Sequence, residues 1–211
     1  AMFDLQNVQV LKGPQGTLFG RNTTGGAILL VPQKPTGNLE GYVEGTYGNH
    51  DARRGQAVIN IPLADTFKIR AGVDRYVRDG YINNRSGIGP RKFNNINYWS
   101  ARLSVLAELT PNLENYTIFT WSKTNTNGML GRIVACNRGT IPGSSGSTAP
   151  TRVQGCAMLD RVNAAGYGYY DAENSTPNPF VKQKLWQVIN TTTWKAADTL
   201  TVKNIFSYGI A

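Results

Sequence analysis

The side chains best suited to chemistry are few and widely spaced in this sequence. His50 is the single histidine, and it falls in Gly48 to Asp51, a stretch whose composition predicts a turn. The Gly-x-Ser-x-Gly, His-Glu-x-x-His and Cys-x-x-Cys patterns do not occur, and residues 13 to 20 lack the Gly-Lys-Ser/Thr ending of a phosphate loop. Nothing in the spacing brings the carboxylates Asp74, Asp79 and Glu108 together. We therefore expect no catalytic residue, no metal site and no cofactor.

Three tyrosines form the other chemically interesting group. Tyr167, Tyr169 and Tyr170 stand near Asn163 and Asp171, late in a long polar segment. Exposed aromatic rings can hold a ligand, and they can equally pack a loop onto itself. Both interpretations of this group remain open from the sequence.

Composition favours strands over helices. The chain has 211 residues, 40% of them hydrophobic and 10% aromatic, with 23 glycines and 10 tyrosines, and its mean hydropathy is −0.32. The longest apolar run, residues 27–31, is far short of the roughly 18 to 20 residues that a spanning helix needs. A spanning β-strand needs only about 9 to 11 residues, of which every second one is apolar. The net charge is +9, and the basic residues are scattered along the chain rather than clustered in blocks. This distribution suits an anionic membrane surface better than nucleic acid.

From residue 39 onward the sequence alternates apolar and polar residues in segments of strand length. Trp99, Leu103 and Val105 fall on one face of such a segment, and Arg102 and Ser104 fall on the other. Seven strands are predicted: Leu39 to Tyr47, Arg54 to Leu63, Phe67 to Gly80, Tyr98 to Leu109, Leu113 to Lys123, Leu185 to Lys195 and Leu200 to Gly209.

The connections between these strands are alternately short and long. Residues 82 to 95 and 125 to 182 are predicted as polar loops, the second of them very long. Short turns at one end and long loops at the other are typical of an outer-membrane barrel, whereas a soluble sandwich rarely confines its long loops to one end. Trp186 and Trp194, near the two ends of one strand, fit two interfacial aromatic girdles, although Asn190 between them weakens that case.

The N-terminal residues have a different organisation. Val8 to Leu11 predicts a short strand, Gly13 to Gly16 a turn, Thr17 to Gly20 one helical turn ended by glycine, and Ala27 to Val31 a buried central strand. Pro32 and Pro35 end that last strand. The segment from Leu11 to Ile28 resembles the plug signature of TonB-dependent outer-membrane receptors. The residues that carry the resemblance are Gly13, Pro14, Gln15, Gly16, Phe19, Gly20, Arg21, Asn22, Gly25 and Gly26.

The resemblance implies a mostly β fold, with the end of a plug domain in residues 1–35 followed by antiparallel strands of a transmembrane β-barrel in residues 36–211. Barrels of this type have about 22 strands, so the seven predicted here make the barrel incomplete. The energy-coupling box that precedes such plugs is not found, and we expect a fragment whose N-terminal part is missing.

The resemblance further implies energised uptake, at the outer membrane of a Gram-negative cell, of a scarce ligand such as an iron–siderophore complex. The implied partners are the TonB complex, outer-membrane lipid with lipopolysaccharide, and the iron chelate. Plug arginines such as Arg21 are expected to pair with barrel acids, with anchoring of its own loop as the alternative for Arg21. Lys68, Arg70, Asp74 and Arg102 are expected to face plug or water inside the barrel. A passive porin, an adhesin-like β-domain and a soluble all-β binding protein or enzyme are the alternatives.

The two cysteines, Cys136 and Cys156, lie in the longest polar segment. Two thiols and one distant histidine are too few ligands for a typical metal site. In the oxidising periplasm a disulfide between them would close a loop of about 20 residues and contribute about 3 kcal/mol in the chain-entropy model. A disulfide is therefore expected, with two free thiols as the alternative.

Overall fold

The computed structural model describes residues 3–20, 22–136 and 149–210, which form twelve strands and two helices. The strands are β1 Leu5–Lys12, β2 Gly26–Pro32, β3 Glu40–Gly48, β4 Ala52–Ala64, β5 Phe67–Arg78, β6 Ile82–Asn84, β7 Lys92–Phe93, β8 Ile96–Thr110, β9 Leu113–Thr126, β10 Asp171–Ala172, β11 Val181–Ala197 and β12 Leu200–Ile210. The helices are α1 Gly16–Phe19 and α2 Ala149–Ala164. No helix in these ranges is both long and apolar enough to cross a membrane.

The seven predicted strands form one antiparallel sheet in the order β12-β11-β9-β8-β5-β4-β3. Each of the seven strands pairs with the one that comes before or after it along the chain, so the sheet is a meander. The prediction of these strands is confirmed, and their observed ends differ from the predicted ones by up to four residues. The alternation of apolar and polar residues was sufficient to predict these strands, because successive side chains of a strand point to opposite faces of the sheet.

The two faces of this sheet are inverted relative to those of a soluble protein. Asn60, Asp74 and Ser104 are fully buried. Trp99 and Leu103, which are adjacent in sequence to buried polar residues, are 47% and 40% exposed. The polar face therefore packs against the N-terminal unit, and the apolar face is left open, as hydrocarbon requires.

Both long connections lie at one end of the sheet, as predicted, and they share that end with the short turn that joins β3 to β4. Tight turns join β4 to β5, β8 to β9 and β11 to β12, whereas residues 79–95 and 127–180 connect strands at the other end. We call this second end the outer end, because long loops face outward in barrels of this kind.

The long connections are more ordered than predicted. Residues 82–95 contain β6 and β7 with a buried Phe93, and residues 125–182 contain α2, β10 and the ends of β9 and β11. The prediction of plain polar loops was therefore wrong. β10 pairs with β6 in parallel, and β6 pairs with β7, so the two long connections share a three-stranded sheet. We call this unit, with α2, the outer cap.

The N-terminal unit is a two-stranded ribbon of β1 and β2 joined through α1. Gly20 ends α1 with a φ of 83°, as its predicted role as a helix stop requires. The prediction that Ala27 to Val31 is a buried central strand was wrong, because β1 is its only strand partner among the described residues. A two-stranded ribbon covers few side chains, and Ile28 remains 70% exposed.

Asn190, which weakened the girdle prediction, is part of a hydrogen-bonded patch on the apolar face. Its amide nitrogen donates to Asn115 Oδ1 at 3.0 Å and to Thr117 Oγ1 at 2.7 Å. Its Oδ1 accepts from Asn115 and from Thr192. The amide of Asn190 therefore finds its partners within the sheet, which lowers the cost of placing it on a lipid-facing strand.

Candidate functional site

The strongest polar contact between the ribbon and the sheet centres on Asp4, which lies just before β1. Arg70 of β5 donates to the Asp4 carboxylate with Nε at 2.9 Å and Nη2 at 2.5 Å. Arg102 of β8 donates to the same carboxylate at 2.8 Å and also to the Asp4 carbonyl at 2.6 Å. The three side chains are only 5% to 9% exposed. This confirms the expectation that Arg70 and Arg102 contact the plug-like unit.

The charge of Asp4 is favoured by these partners. Burial alone would raise the pKa of Asp4, but hydrogen bonds and charge from Arg70, and then from Arg102, outweigh it, so the pKa is lowered. Arg70 also donates to Glu40 at 3.1 Å. The carboxylate is thus ionised at neutral pH. It bridges β5 and β8 on the polar face of the seven-stranded sheet, which we call the inner wall.

Phe3 fills the space beside this contact. It is 3% exposed, and the Arg102 guanidinium lies 4.9 Å from its ring centre. A Cβ at Gly72 would meet the Phe3 ring at 2.6 Å and Val58 Cγ2 at 3.0 Å. Gly72 therefore leaves room for an aromatic ring on the inner wall.

The segment between ribbon and sheet is tied to the same wall. The Asn60 amide donates to the carbonyls of Thr36 at 3.0 Å and Asn38 at 2.6 Å, and its oxygen accepts from the Thr36 N–H. Lys34 pairs with Glu114 at 3.1 Å, where both groups are more exposed. Asn60 therefore fixes the entry of the chain into β3.

Lys68 and Asp74 complete the predicted inward-facing set. Asp74 pairs with Arg54 through two bonds of 2.9 Å and accepts from the Tyr98 hydroxyl. Lys68 pairs with Glu108 at 2.6 Å, near the short turns. Both residues contact neighbouring strands and lie apart from the Asp4 contact.

The motif residues lie in and around α1 and the ribbon. Gly13 has a φ of 83°, and the Gln15 N–H donates to the Thr23 carbonyl. Gly26 has a φ of 142°, and a Cβ there would come 2.4 Å from the Leu11 carbonyl oxygen. Arg21 lies outside the described residues. The glycines thus allow a close crossing of backbone in a tight hairpin.

Another buried carboxylate, that of Asp171, organises the outer cap. Asp171 accepts two hydrogen bonds from Arg85, at 2.9 and 3.1 Å, one from the Asn83 amide at 3.2 Å and one from the Gly168 N–H at 2.9 Å. Hydrogen bonds from Arg85 and Gly168 lower the pKa of Asp171 to about 2. Asp171 therefore joins the two long connections, and it is structural rather than available to a ligand.

Two of the three predicted tyrosines are brought together at the surface of the cap. The rings of Tyr169 and Tyr170 pack edge-on at 5.0 Å, and Tyr170 packs on Tyr81 at 6.0 Å. Tyr81 lies 5.9 Å from His50, so the group spans three connections. Tyr167 makes a different contact: its hydroxyl donates to Glu173 at 3.0 Å.

Tyr169 and Tyr170 remain 75% and 53% exposed.

The described residues contain no cluster of three or more His, Cys, Asp or Glu side chains placed to hold a metal ion. Cys136 and Cys156 are bonded to each other with Cα atoms 5.4 Å apart, so the start of the long connection is attached to α2.

Sequence reasoning missed Phe3 and Asp4. Neither belongs to a motif, and their partners lie 66 to 99 residues away in the sequence. The unpaired inward arginines at 70 and 102 were the available signal, because two buried cations on one wall need a shared anion.

Comparisons with known proteins agree with this architecture. The pesticin receptor of Yersinia pestis is 40% identical over 65 residues, 31% of this chain and 10% of the relative. The catecholate siderophore receptor Fiu of Escherichia coli is 30% identical over 93 residues, 42% of this chain and 12% of the relative. The matched part of this chain thus corresponds to about a tenth of each relative's length. No family model matches the chain.

Solved structures are similar over nearly the whole chain. The ferric yersiniabactin receptor FyuA of Yersinia pestis superposes with a TM-score of 0.70 at 19% identity, covering 98% of this chain and 28% of FyuA. The ferripyoverdine receptor of Pseudomonas aeruginosa gives 0.66 at 17% identity, covering 99% of this chain and 24% of that receptor.

The fold is therefore a plug end followed by antiparallel strands of a transmembrane β-barrel that is not closed by these seven strands. The resemblance to TonB-dependent receptors is confirmed: the similar proteins are siderophore receptors of the Gram-negative outer membrane, and they are transport receptors rather than enzymes.

Proposed function

We propose that this chain contributes the end of the plug, residues 1–35, and the first barrel strands, residues 36–211, to a receptor for energised uptake of an iron–siderophore complex. TonB supplies the pull on the plug, and no bond is made or broken in the ligand. The names of its relatives support this ligand class, since they include ferrioxamine B and catecholate siderophore receptors.

The observation that carries the proposal is the Asp4 contact. A plug that must move needs contacts that hold it at rest and can be exchanged for water. Asp4 is held by Arg70 and Arg102 on two adjacent strands, and ionised groups regain hydration when they separate. The contact therefore combines a strong hold with reversibility.

The ligand surface is proposed at the outer cap. Tyr169 and Tyr170 offer exposed rings and hydroxyl groups next to Tyr81. Aromatic faces suit the rings and amides of an iron chelate, and hydroxyl groups can donate to its oxygen atoms. A functional role for the plug motif residues between Gly13 and Gly26 is proposed from the resemblance alone.

Uptake of radioiron by iron-starved cells tests the proposal. Catecholate and hydroxamate chelates should be offered to cells carrying the wild type, the Tyr169→Ala/Tyr170→Ala variant, or the Tyr47→Ala control. Tyr47 is 77% exposed on the apolar face of β3 and stands outside the aromatic group of His50, Tyr81, Tyr169 and Tyr170. The double variant should bind its chelate about tenfold more weakly, and the control should match the wild type.

Collapse of the proton-motive force separates the alternatives. Uptake should stop, while surface binding of the chelate persists. Uptake that continues without the proton-motive force would indicate a passive porin, and absence of chelate binding at any concentration would favour an adhesin-like domain. Either result would reject the proposal.

A further inference from the structure

The apolar face of the sheet has a strongly asymmetric charge distribution. Strand register places five cations on this face, and all of them lie toward the outer end: Arg53, Arg75, Lys123, Lys182 and Lys184. Its positions on the seven described strands carry no aspartate or glutamate. The short-turn end of the same face has no charged side chain, so the cations are concentrated at one membrane boundary.

Three lysines form the centre of this distribution. Lys123 of β9 lies directly opposite Lys184 of β11, and Lys182 is two residues further toward the outer end on the same face. Along a strand, two residues span about 6.8 Å. All three side chains are exposed, and together they line a surface cleft.

The partners of these lysines are the key observation. No carboxylate lies within salt-bridge distance of any of them among the described residues. Like charges directly opposite across a sheet are destabilising. By contrast, Arg53 is neutralised by Asp51 at 2.7 Å. An anion from outside the chain would remove the repulsion between Lys123 and Lys184.

The depth of the cluster identifies that anion. Trp121 and Trp186 are direct cross-strand neighbours, two residues below Lys123 and Lys184 on the same face. Tryptophans of this kind mark the membrane interface. One step above the girdle is the level of lipid headgroups, and basic clusters there bind their phosphates. Arg75, 5.0 Å above the Trp99 ring, continues the same row.

We propose that Lys123, Lys182 and Lys184 form a binding site for the phosphate groups of a phosphorylated glycolipid in the outer leaflet, that is, lipopolysaccharide. The site deepens the proposed function, on which it rests for its placement in the outer membrane. The site attaches β9 and β11 to the surrounding outer leaflet, and it takes no part in ligand transport.

The test compares three forms of the protein purified in mild detergent from outer membranes. They are the wild type, the Lys123→Gln/Lys182→Gln/Lys184→Gln variant, and a Lys92→Gln/Lys195→Gln/Lys203→Gln control. The control removes the same charge from exposed lysines away from the apolar face. Mass spectrometry counts the lipopolysaccharide retained per chain, and rebinding of lipid A is measured in phosphatidylcholine nanodiscs.

The site variant should retain about tenfold less lipopolysaccharide and rebind lipid A correspondingly more weakly, whereas the control should match the wild type. An arginine triple variant at the same positions should restore binding, which would exclude a folding defect as the cause. Equal retention by site variant and control, or competition by inorganic phosphate as effective as by lipid A, would overturn the inference.

Radioiron uptake by the same variants keeps the two proposals distinguishable. If the wild type fails to take up chelate but loses lipopolysaccharide with the three lysines, only the proposed function is rejected. If uptake is normal and lipopolysaccharide does not depend on the lysines, only this inference fails.

Discussion

Two buried carboxylates, one inside the barrel wall and one in the outer cap, join distant segments in different ways. Asp4 is shared by Arg70 and Arg102, and both arginine side chains are less than a tenth exposed. Asp171 is bound by one arginine, Arg85, whose side chain is 53% exposed, and by amide donors. The inner contact thus depends on charges that have little access to water. The outer contact depends mainly on hydrogen bonds from one exposed arginine and from neutral amide groups.

The difference shows how one chain can combine a movable contact with a permanent one. Removing the Asp4 charge leaves buried Arg102 without a carboxylate partner and Arg70 with Glu40 alone, so most of the inner contact is lost at once. Removing Arg85 leaves Asp171 with neutral donors and water nearby, so the cap weakens gradually.

The largest effect is expected from Asp4→Asn. Asp4 has a φ of 51°, which asparagine tolerates, so the change removes charge without adding backbone strain. Loss of the shared anion should lower the free energy of unfolding by about 3 to 5 kcal/mol in denaturant titrations in detergent. Asp51→Asn, which breaks an exposed pair in a turn, should cost less than about 1 kcal/mol. Equal effects of the two variants would contradict the special role of Asp4.

Reduction of the disulfide should have the next largest effect and act on the cap alone. A Cys136→Ser/Cys156→Ser variant should lose about 3 kcal/mol of cap stability, because the open chain gains entropy. Hydrogen exchange of α2 measures this loss, and thiol alkylation without reductant tests the bond in the wild type. Unchanged exchange in α2, or two alkylated thiols in the native protein, would show that the cap does not depend on the bond.

Gly72→Ala should weaken the inner contact by a smaller amount. The added methyl group would collide with the Phe3 ring, and relief of that overlap costs about 1 to 3 kcal/mol. Gly45→Ala is the matched control, since a Cβ there meets nothing within 4 Å. The same denaturant titration applies, and a loss in the control as large as at Gly72 would place the defect in the strand rather than in the Phe3 pocket.

Acid should open the cap within a narrow pH range. The pKa of Asp171 is about 2 in the folded protein, against about 3.9 in an unfolded chain. Its contribution is complete above about pH 4 and is lost as the pH falls toward 2. Pepsin cleavage near residue 171 should therefore rise over this range. Asp171→Asn should abolish the pH dependence, while Arg91→Gln, an exposed change in the adjoining connection, should leave it intact.

Regular alternation made the sheet predictable, and long-range contacts made the sites unpredictable. Each barrel strand has one apolar and one polar face, so residues such as Leu103 and Ser104 reveal the strand locally. Asp4 has no such local signal, because its function depends on arginines contributed by two later strands. The helix α2 was missed because Gly155 interrupts a segment with a weak apolar pattern, and its order depends on Cys156 and on the buried Leu159 and Val162.

The parallel pairing of β10 with β6 has a consequence for the order of assembly. Asp171 pairs with Asn83 although β7, the two long strands β8 and β9, and α2 lie between them in the chain. The pairing can form only after β8 and β9 have inserted and both connections have crossed to the same side. The completed cap is therefore a late product of biogenesis, and an antibody against its folded surface would distinguish mature molecules from those still being threaded into the bilayer.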